Sequence, residues 1–297
     1  MSFLLSTTLI IFTILGNAIN KIYTKIVLRE INSYTLLLLS NIVCALISLP
    51  ILIYNSQELF SITFFGWTVI IFTCLLWSLN GYLGNLSIEK SPVSIREPLS
   101  QLQIVFAVMI GIFIFGESLK ANQIFGIFLI ILAGVVLVFK KEIFNTEFTK
   151  ESLLIILSYT FITACVAALD KYIITFIPAY IYLFFNFSIP CIPLLIFGYK
   201  KNKENIKSIF DFKKFQVNDM DKFKKIIYIS IIFFIAYFLT LLCYQNFEFS
   251  LIYPILKIAT PIVAFSGIIF LGEKAHFQRK IIAVILATLG AIICKVF

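Results

Sequence analysis

Residues 260–274 of the chain read T-P-I-V-A-F-S-G-I-I-F-L-G-E-K, and residues 104–118 read I-V-F-A-V-M-I-G-I-F-I-F-G-E-S. Both stretches are apolar runs that end in a Gly-Glu pair, and they lie 156 residues apart without a gap. Chance can supply one such match between two apolar helices, but it does not supply several in one register. The chain therefore contains an internal repeat. Further matches at the same spacing join Pro98 to Pro254, Gly111 to Gly267 and Gly134 to Gly290.

The composition of the chain indicates that this repeat lies in a membrane. Hydrophobic residues make up 61% of the 297 residues and charged residues 13%, and the mean hydropathy is +1.02. Soluble domains are typically about 45–50% apolar and about 25% charged, so a water-soluble fold would expose too much apolar surface. The N-terminal apolar run lacks a basic segment and a cleavage site, which predicts a membrane span there rather than a removed signal peptide.

Apolar runs of about 17–25 residues, bounded by charged or turn residues, predict an all-α integral membrane protein with ten transmembrane helices. Most connections are short, so neighbouring helices are expected to be antiparallel. The exception is the lysine-rich loop 200–225, which is expected to face water or to form an interfacial helix. The predicted spans are Phe3–Asn20, Tyr34–Tyr54, Phe64–Leu86, Ser94–Phe115, Gln123–Phe139, Ser152–Ile174, Pro178–Tyr199, Ile226–Asn246, Ser250–Leu271 and Ile281–Val296.

The two halves of the chain are predicted to have opposite orientations in the membrane. Residues 1–145 form the first five-helix repeat and residues 146–297 the second, and an odd number of helices inverts the second repeat relative to the first. Asn20-Lys21 is paired with Asp170-Lys171 at an offset of 150, with the loops absorbing the shift. Inverted repeats recur among secondary transporters, which bind substrate near the midplane and alternate access between the two sides. The repeat therefore predicts a transporter.

The repeated Gly-Glu stretches, each followed by a helix with a late glycine, resemble the EamA type of the drug/metabolite transporter superfamily. The resemblance covers both repeats, although Val105 stands where the family pattern and Pro261 have proline, and Leu15-Gly16 stands where a Trp-Gly pair is frequent. The resemblance implies ten helices around a central cavity lined by both halves. It does not imply one substrate, because the superfamily spans amino acids, sugars, nucleotide-linked sugars and amines.

The distribution of charge leaves the orientation of the termini open. Most of the 24 Lys and Arg residues lie in the odd-numbered connections, and the positive-inside rule would place both termini outside. The family resemblance implies cytoplasmic termini instead. The largest block of the +9 net charge lies in the loop 200–225, with nine lysines, and the rest is scattered between apolar segments, so the charge does not suggest a nucleic-acid partner. We expect a multi-pass protein of the plasma (inner) membrane, whose partners are the bilayer and a small-molecule substrate. Helices this rich in Phe and Ile offer no small-residue dimer face, which favours a monomer.

No metal, cofactor or enzyme site is predicted. The six cysteines fall in apolar runs without a C-x-x-C pair, and the single histidine, His276, lies in a charged loop. The chain contains no H-E-x-x-H, G-x-S-x-G or phosphate-binding glycine loop. We therefore expect no metal, no cofactor and no catalytic activity.

Lys257 is the most informative polar residue because it lies inside the ninth predicted span. A charge at the centre of a membrane helix costs about 2.5–3.5 kcal/mol on insertion scales, so Lys257 is expected to face a cavity or a partner. One hypothesis is that Lys257 binds a substrate carboxylate or phosphate. The other is structural, with Lys257 paired to Glu97 or Asp170 or extended to the interface. At the offset of 156, Tyr253 and Lys257 match Glu97 and Gln101.

Other polar residues recur at helical spacing, where aromatic rings beside amides suit an organic ligand. For a single Asn or Tyr, hydrogen bonding between helices is the competing role. Glu97 and Asp170 are the proton-coupling candidates, since a carboxylate removed from water takes up a proton more readily, and the alternative for Asp170 is a solvated ion pair with Lys171. Glu117 and Glu273 are expected to cap helices. The predicted substrate-binding set is Lys257, Tyr253, Gln101, Glu97, Trp77, Asn80, Asn17, Asn20, Tyr237 and Tyr244.

The main functional hypothesis is a secondary transporter for a small anionic or zwitterionic metabolite, amino-acid-like or phosphorylated, which works by alternating access. In this hypothesis Lys257 holds the negative group of the substrate. A flippase for a lipid-linked sugar or phosphate is an alternative, in which Lys257 would meet the headgroup. A ligand-binding membrane receptor is an alternative from a different class.

Overall fold

The chain folds into helices joined mostly by short connections. A computed structural model describes residues 3–115, 121–138, 149–199, 202–204, 206, 217–247, 249–257, 259–270, 272 and 277–296, and these residues contain no strand. The helices of the first half are α1 (Phe3–Val27), α2 (Ser33–Tyr54), α3 (Phe64–Lys90), α4 (Val93–Ser100), α5 (Leu102–Phe115) and α6 (Ala121–Val138). Those of the second half are α7 (Lys150–Ile173), α8 (Ala179–Ser188), α9 (Val217–Asn246), α10 (Phe249–Leu256), α11 (Ala259–Phe270) and α12 (Phe277–Val296).

Six helical segments among the described residues are long and apolar enough to cross a membrane. They coincide with α1, α2, α3, α7, α9 and with α8 extended through a π-helical turn to Gly198. Each matches one of the ten predicted spans, and the other four predicted spans fall on α4 with α5, α6, α10 with α11, and α12. Large apolar side chains are exposed on the outside of these helices, as at Phe12 (63% exposed) and Phe64 (89%), where hydrocarbon is a suitable solvent.

Two of the predicted spans are not continuous helices, which corrects the sequence analysis. The span Ser250–Leu271 divides at Lys257, because the ring of Pro261 excludes the helical position of the carbonyl four residues earlier. The Lys257 carbonyl instead accepts from the Thr260 amide at 2.9 Å. The span Ser94–Phe115 divides at Gln101, where the Gln101 and Ile104 amides form tight bonds to residues three positions earlier.

Side chains of the chain itself satisfy the polar groups within the helices. The oxygens of Asn32, Thr63 and Thr149 accept from the first free amides of α2, α3 and α7, at 2.7, 3.1 and 3.1 Å. Inside the helices, hydroxyls such as those of Thr13 and Thr73 donate to the carbonyl four residues earlier. Apolar helices can therefore carry these hydroxyls without leaving polar atoms unpaired in hydrocarbon.

The helices of the two halves interleave. α1 packs on α9, and the equivalent pair, α7 with α3, packs in the same way. α2 packs on α8, α4 on α11 and α6 on α12, so each of these contacts joins an element to its counterpart or near counterpart in the other half. The main packing surfaces thus lie between the halves, and the space enclosed between them is lined by both.

The contact between α6 and α12 requires a glycine at residue 290. A Cβ atom built on Gly290 would lie 2.6 Å from the Gly126 carbonyl oxygen and 3.1 Å from the Ile130 amide nitrogen. Both atoms belong to the backbone of α6, so they cannot move aside as a side chain can. The two helices therefore approach more closely than any larger residue at this position would allow.

Replacing Gly290 with alanine is expected to destabilise the protein, because the added methyl group forces α6 and α12 apart. Thermal unfolding of the purified protein in detergent should show a lower Tm for Gly290→Ala than for the wild type. Gly16→Ala is the matched control, since a Cβ at Gly16 meets Ala236 at an ordinary distance of 3.4 Å. The control should leave the Tm unchanged or slightly raised, and equal losses in both variants would contradict the close approach.

Candidate functional site

A cavity of about 220 Å³ with polar groups among an apolar lining lies between the two halves of the chain. Residues of α1, α2, α3 and α4 line it from the first half, and residues of α7, α9, α10 and α11 line it from the second. A cavity lined by both halves was implied by the family resemblance. Its lining includes three cationic side chains, one carboxylate, several amides and six aromatic rings.

Most of the predicted site residues meet at this cavity. The amides of Asn17, Asn20 and Asn80 line it, as helical spacing on one face of α1 and α3 requires. Gln101 and Glu97 do not belong to the lining, but both form hydrogen bonds with residues that do. The other predicted residues that line the cavity are Trp77, Asp170, Tyr237, Tyr244, Tyr253 and Lys257.

Lys257 occupies the interruption between α10 and α11, which turns its side chain into the cavity. Its Nζ donates to Gln103 Oε1 at 3.0 Å and lies 4.4 Å from the centre of the Tyr253 ring. The Tyr253 hydroxyl donates to the same Gln103 oxygen at 3.1 Å. The proposed structural partners, Glu97 and Asp170, bond to other groups instead. The contacts of the Lys257 ammonium group are therefore a neutral amide and an aromatic face rather than a carboxylate.

The interruptions at Gln101 and Lys257 contact one another. Gln101 Nε2 donates to the Lys257 carbonyl at 3.3 Å. The same carbonyl accepts from the backbone amide of Thr260, in the first turn of α11. Gln101 and Lys257 are 156 positions apart, the spacing of the repeat. Gln101 thus positions the backbone that carries Lys257, and its own side chain lies outside the cavity lining.

Glu97 is fully buried between two cations. Its Oε2 accepts from Lys21 Nζ at 2.7 Å, and its Oε1 accepts from Arg96 Nη1. Arg96 is 1% exposed, and its Nε donates to Ser87 Oγ at 3.0 Å. The guanidinium of Arg96 also lies over the Tyr159 ring, 4.6 Å from its centre. Since Lys21 and Arg96 line the cavity and Glu97 does not, the cluster presents positive charge to the interior.

Asp170 lies at the other part of the cavity and is not a solvated partner of Lys171. Its carboxylate is 1% exposed and accepts from the Tyr182 hydroxyl at 2.7 Å and from the Tyr237 hydroxyl at 2.9 Å. The Trp77 indole nitrogen donates to both carboxylate oxygens, at 3.1 and 3.2 Å. The expected solvated ion pair fails because the end of α7 packs among aromatic side chains rather than facing water.

Lys171 instead binds the end of α9. Its Nζ donates to the carbonyls of Tyr244 and, at 2.9 Å, Phe247. In the other half, Lys25 Nζ donates in the same way to the carbonyls of Ile88 and Ser91, the latter at 2.8 Å. The contacts therefore match Lys171 with Lys25, an offset of 146, rather than with Lys21 as the sequence analysis has it.

Sequence analysis does not single out Arg96, Gln103 or Tyr182, although each contacts a site residue. Arg96 could have been found as a second charge inside a predicted span, directly before Glu97. Gln103 gives no such signal, because the residue 156 positions later is Ala259. Tyr182 is one of many aromatic residues in apolar helices, and only the fold brings it to Asp170.

Some expectations lie outside the described residues. They are the capping roles of Glu117 and Glu273 and half of the lysine-rich loop 200–225, of which the structure describes 202–204, 206 and the start of α9 from Val217. In the described part of the chain, no group of three His, Cys, Asp or Glu side chains is placed to hold a metal ion.

Comparison with known proteins supports the family resemblance. Residues 4–140 match the EamA-like transporter family, which supports the resemblance over the first of the two repeated stretches. Together with the apolar helices, this match indicates an integral membrane protein. No curated protein matches the chain.

A solved crystal structure, described only as that of a protein, has a similar fold. It shares 12% sequence identity and a TM-score of 0.64, over 98% of this chain and 96% of that one. The likeness therefore extends over nearly the full length of both chains, and it concerns the fold alone.

Replacing Glu97 with glutamine is expected to destabilise the fold, because Arg96 and Lys21 lose the carboxylate that they share. Breaking a buried ion pair costs about 3–5 kcal/mol, so the Tm of Glu97→Gln in detergent should fall clearly. The matched control is Glu30→Gln, which removes a carboxylate from an exposed pair with Lys225 and should cost about 0–1 kcal/mol. Similar Tm values for the two variants would contradict a structural role for Glu97.

Proposed function

We propose that this chain, which matches the EamA-like transporter family over residues 4–140, is a secondary transporter for a small organic metabolite that carries a carboxylate or phosphate. The observation that carries the proposal is the group of three cations, Lys257, Lys21 and Arg96, on the lining of one cavity between the halves. Placing a positive charge inside a membrane protein costs free energy, and such charges are therefore found mainly where function requires them.

The balance of charge around these cations favours an anionic ligand. Glu97 serves both Lys21 and Arg96, so this cluster holds two positive charges against one negative charge. Lys257 adds a third basic group, whose contacts are the neutral side chains of Gln103 and Tyr253. A carboxylate or phosphate in the cavity would offset the excess and gain charge-assisted hydrogen bonds. The protein would thus bind an anion with groups that are already in place.

The amides and rings of the lining supply contacts for the rest of the substrate. In our proposal, Asn17, Asn20 and Asn80 donate and accept hydrogen bonds, and Trp77, Tyr237, Tyr244 and Tyr253 pack on apolar parts of the ligand. Glu97 and Gln101 act indirectly, by holding Lys21 with Arg96 and the backbone of Lys257. A cavity of about 220 Å³ suits a metabolite of a few carbon atoms rather than a large lipid-linked sugar.

We further propose ten membrane spans in two inverted repeats, 1–145 and 146–297, that exchange conformations in alternating access. The interleaved contacts support this organisation, because α1 with α9 and α7 with α3 are equivalent pairs. The lysine contacts support it also, since Lys25 and Lys171 serve carbonyls that are 156 residues apart. The interruptions at Gln101 and Lys257 supply two hinges at matching positions.

The role of Lys257 can be tested by transport in liposomes. Lys257→Gln should lower uptake of small carboxylates and phosphates at least about tenfold, because it removes the basic group that attracts them. Thermal stabilisation by the same anions should fall in parallel, since a ligand at about 100 times its Kd adds about 2.7 kcal/mol of stability.

The matched control is Lys225→Gln, which removes a lysine from an exposed pair with Glu30. It should retain both transport and stabilisation by ligand. Unchanged kinetics in Lys257→Gln would show that Lys257 does not bind the substrate. Stabilisation of the wild type by anions without counterflow across the liposome membrane would instead favour a receptor.

A further inference from the structure

The hydrogen bonding of Asp170 limits what can bind to it. A carboxylate offers about four lone-pair sites. Tyr182 and Trp77 donate to one oxygen of Asp170, and Tyr237 and Trp77 donate to the other, all within 3.2 Å. Each of these donors is neutral, and the single N–H of Trp77 is shared between the two oxygens, so three neutral donors enclose the carboxylate.

A primary ammonium group fits poorly beside such a carboxylate. It would donate a hydrogen bond to Asp170 in competition with Tyr182, Tyr237 and Trp77, and any donor that it displaced would be left buried and unpaired. A quaternary ammonium group has no hydrogen to donate. It can approach the negative charge through space without displacing any donor, and it prefers aromatic faces to water.

Aromatic rings line the cavity at this point. The rings of Trp77 and Tyr237 lie 5.3 Å apart at 79°, so they form a corner. The Phe233 ring lies 6.2 Å from that of Tyr237, and all three residues line the cavity together with Asp170. A corner of aromatic faces beside a buried carboxylate has the chemistry that recognises methylated ammonium groups.

We propose that Asp170, with Trp77, Tyr237 and Phe233, forms a subsite for the quaternary ammonium group of the substrate. This inference rests on the proposed transport function and deepens it, since Lys257 remains the subsite for the anionic group. The substrate is therefore a betaine-type zwitterion, with a trimethylammonium group at one end and a carboxylate at the other.

The cavity joins the two subsites through aromatic side chains. Lys257 lies over the ring of Tyr253, and the Tyr253 ring lies 6.5 Å from that of Tyr244. Tyr244 and Tyr237 lie two helical turns apart on α9 and both line the cavity. A short apolar chain between the charged ends of the ligand would thus pass over tyrosine rings.

Trp77 can report on this subsite directly. The chain has two tryptophans, and Trp67 packs on Phe185 outside the cavity lining, so Trp67→Phe leaves Trp77 as the single fluorophore. The probes are γ-butyrobetaine, its neutral carbon analogue with a tert-butyl group in place of the trimethylammonium group, and γ-aminobutyrate. Glycine betaine with its tert-butyl analogue and glycine gives the same comparison at a shorter length. Kd is measured for each probe by fluorescence titration in detergent.

In the Trp67→Phe background, at least one betaine should bind about tenfold more tightly than its tert-butyl analogue and its primary amine. Asp170→Asn should abolish the preference over the tert-butyl analogue and leave the affinity for that analogue unchanged. Tyr237→Phe keeps the ring and frees one lone pair of Asp170, so it should shift preference from the betaine towards the primary amine. This second variant preserves the packing if Asp170→Asn does not fold.

Three results would overturn the subsite. They are equal binding of betaine and tert-butyl analogue, binding of the primary amine as tight as that of the betaine, and a preference that survives in Asp170→Asn. Proton coupling that is lost in Asp170→Asn while the betaine preference survives would assign Asp170 to proton transfer instead. Lys257→Gln separates the two proposals, because it should weaken all carboxylate probes equally. A betaine preference that persists with unchanged affinities in Lys257→Gln would overturn the anion subsite alone.

Discussion

Polar groups that lie among apolar helices must find their partners within the protein, because hydrocarbon offers none. This requirement explains the positions of most charged residues in the interior. Lys25 and Lys171 reach the last carbonyls of α3 and α9, where helices leave acceptors unpaired and carry partial negative charge. Glu97 balances Lys21 and Arg96 in the same way. Lys257 and Asp170, which also line the cavity, are held by neutral groups instead, and in our proposals they are the residues that meet the two ends of the ligand.

The pairing of helices between the halves agrees with the predicted repeat, and the residues around the cavity depart from it. Lys257 matches Gln101 at the 156-residue spacing, and only the lysine carries charge into the cavity. At the 146-residue spacing that the lysine contacts define, Asp170 matches Thr24, whose hydroxyl bonds to the backbone of its own helix. In our proposals the second half therefore contributes both Lys257 and Asp170, the residues that meet the two ends of the substrate. Such an arrangement would favour a single orientation of the ligand, because the two ends of the cavity would attract opposite charges.

Sequence patterns located the parts of the site that lie on unbroken helices. Asn17, Asn20, Trp77 and Asn80 reach the cavity because regular helices keep residues three and four apart on one face. The same rule fails at Gln101 and Lys257, since an interrupted helix changes the direction of the residues that follow it, and Gln103 replaces Gln101 beside Lys257. The sequence assigns Asp170 to the correct helix but does not predict its partners. Its position near a helix end favours a solvated ion pair with Lys171, and nothing in the sequence shows that Tyr182 and Tyr237 contact it. Side chains that contact a site residue from a distant helix cannot be identified from the local sequence, because the apolar helices are similar in composition.

The lysine contacts also show where the two halves differ in length. Lys25 and Lys171 are 146 residues apart, whereas the Ser91 and Phe247 carbonyls that they bind are 156 apart, so the second half contains ten more residues before α9 ends. The helices of both halves have matching starts up to α2 and α8, which assigns the additional residues to the lysine-rich connection between α8 and α9. The second half thus carries its additional length in the same stretch as its largest block of lysines, so the difference in length between the halves is also a difference in charge.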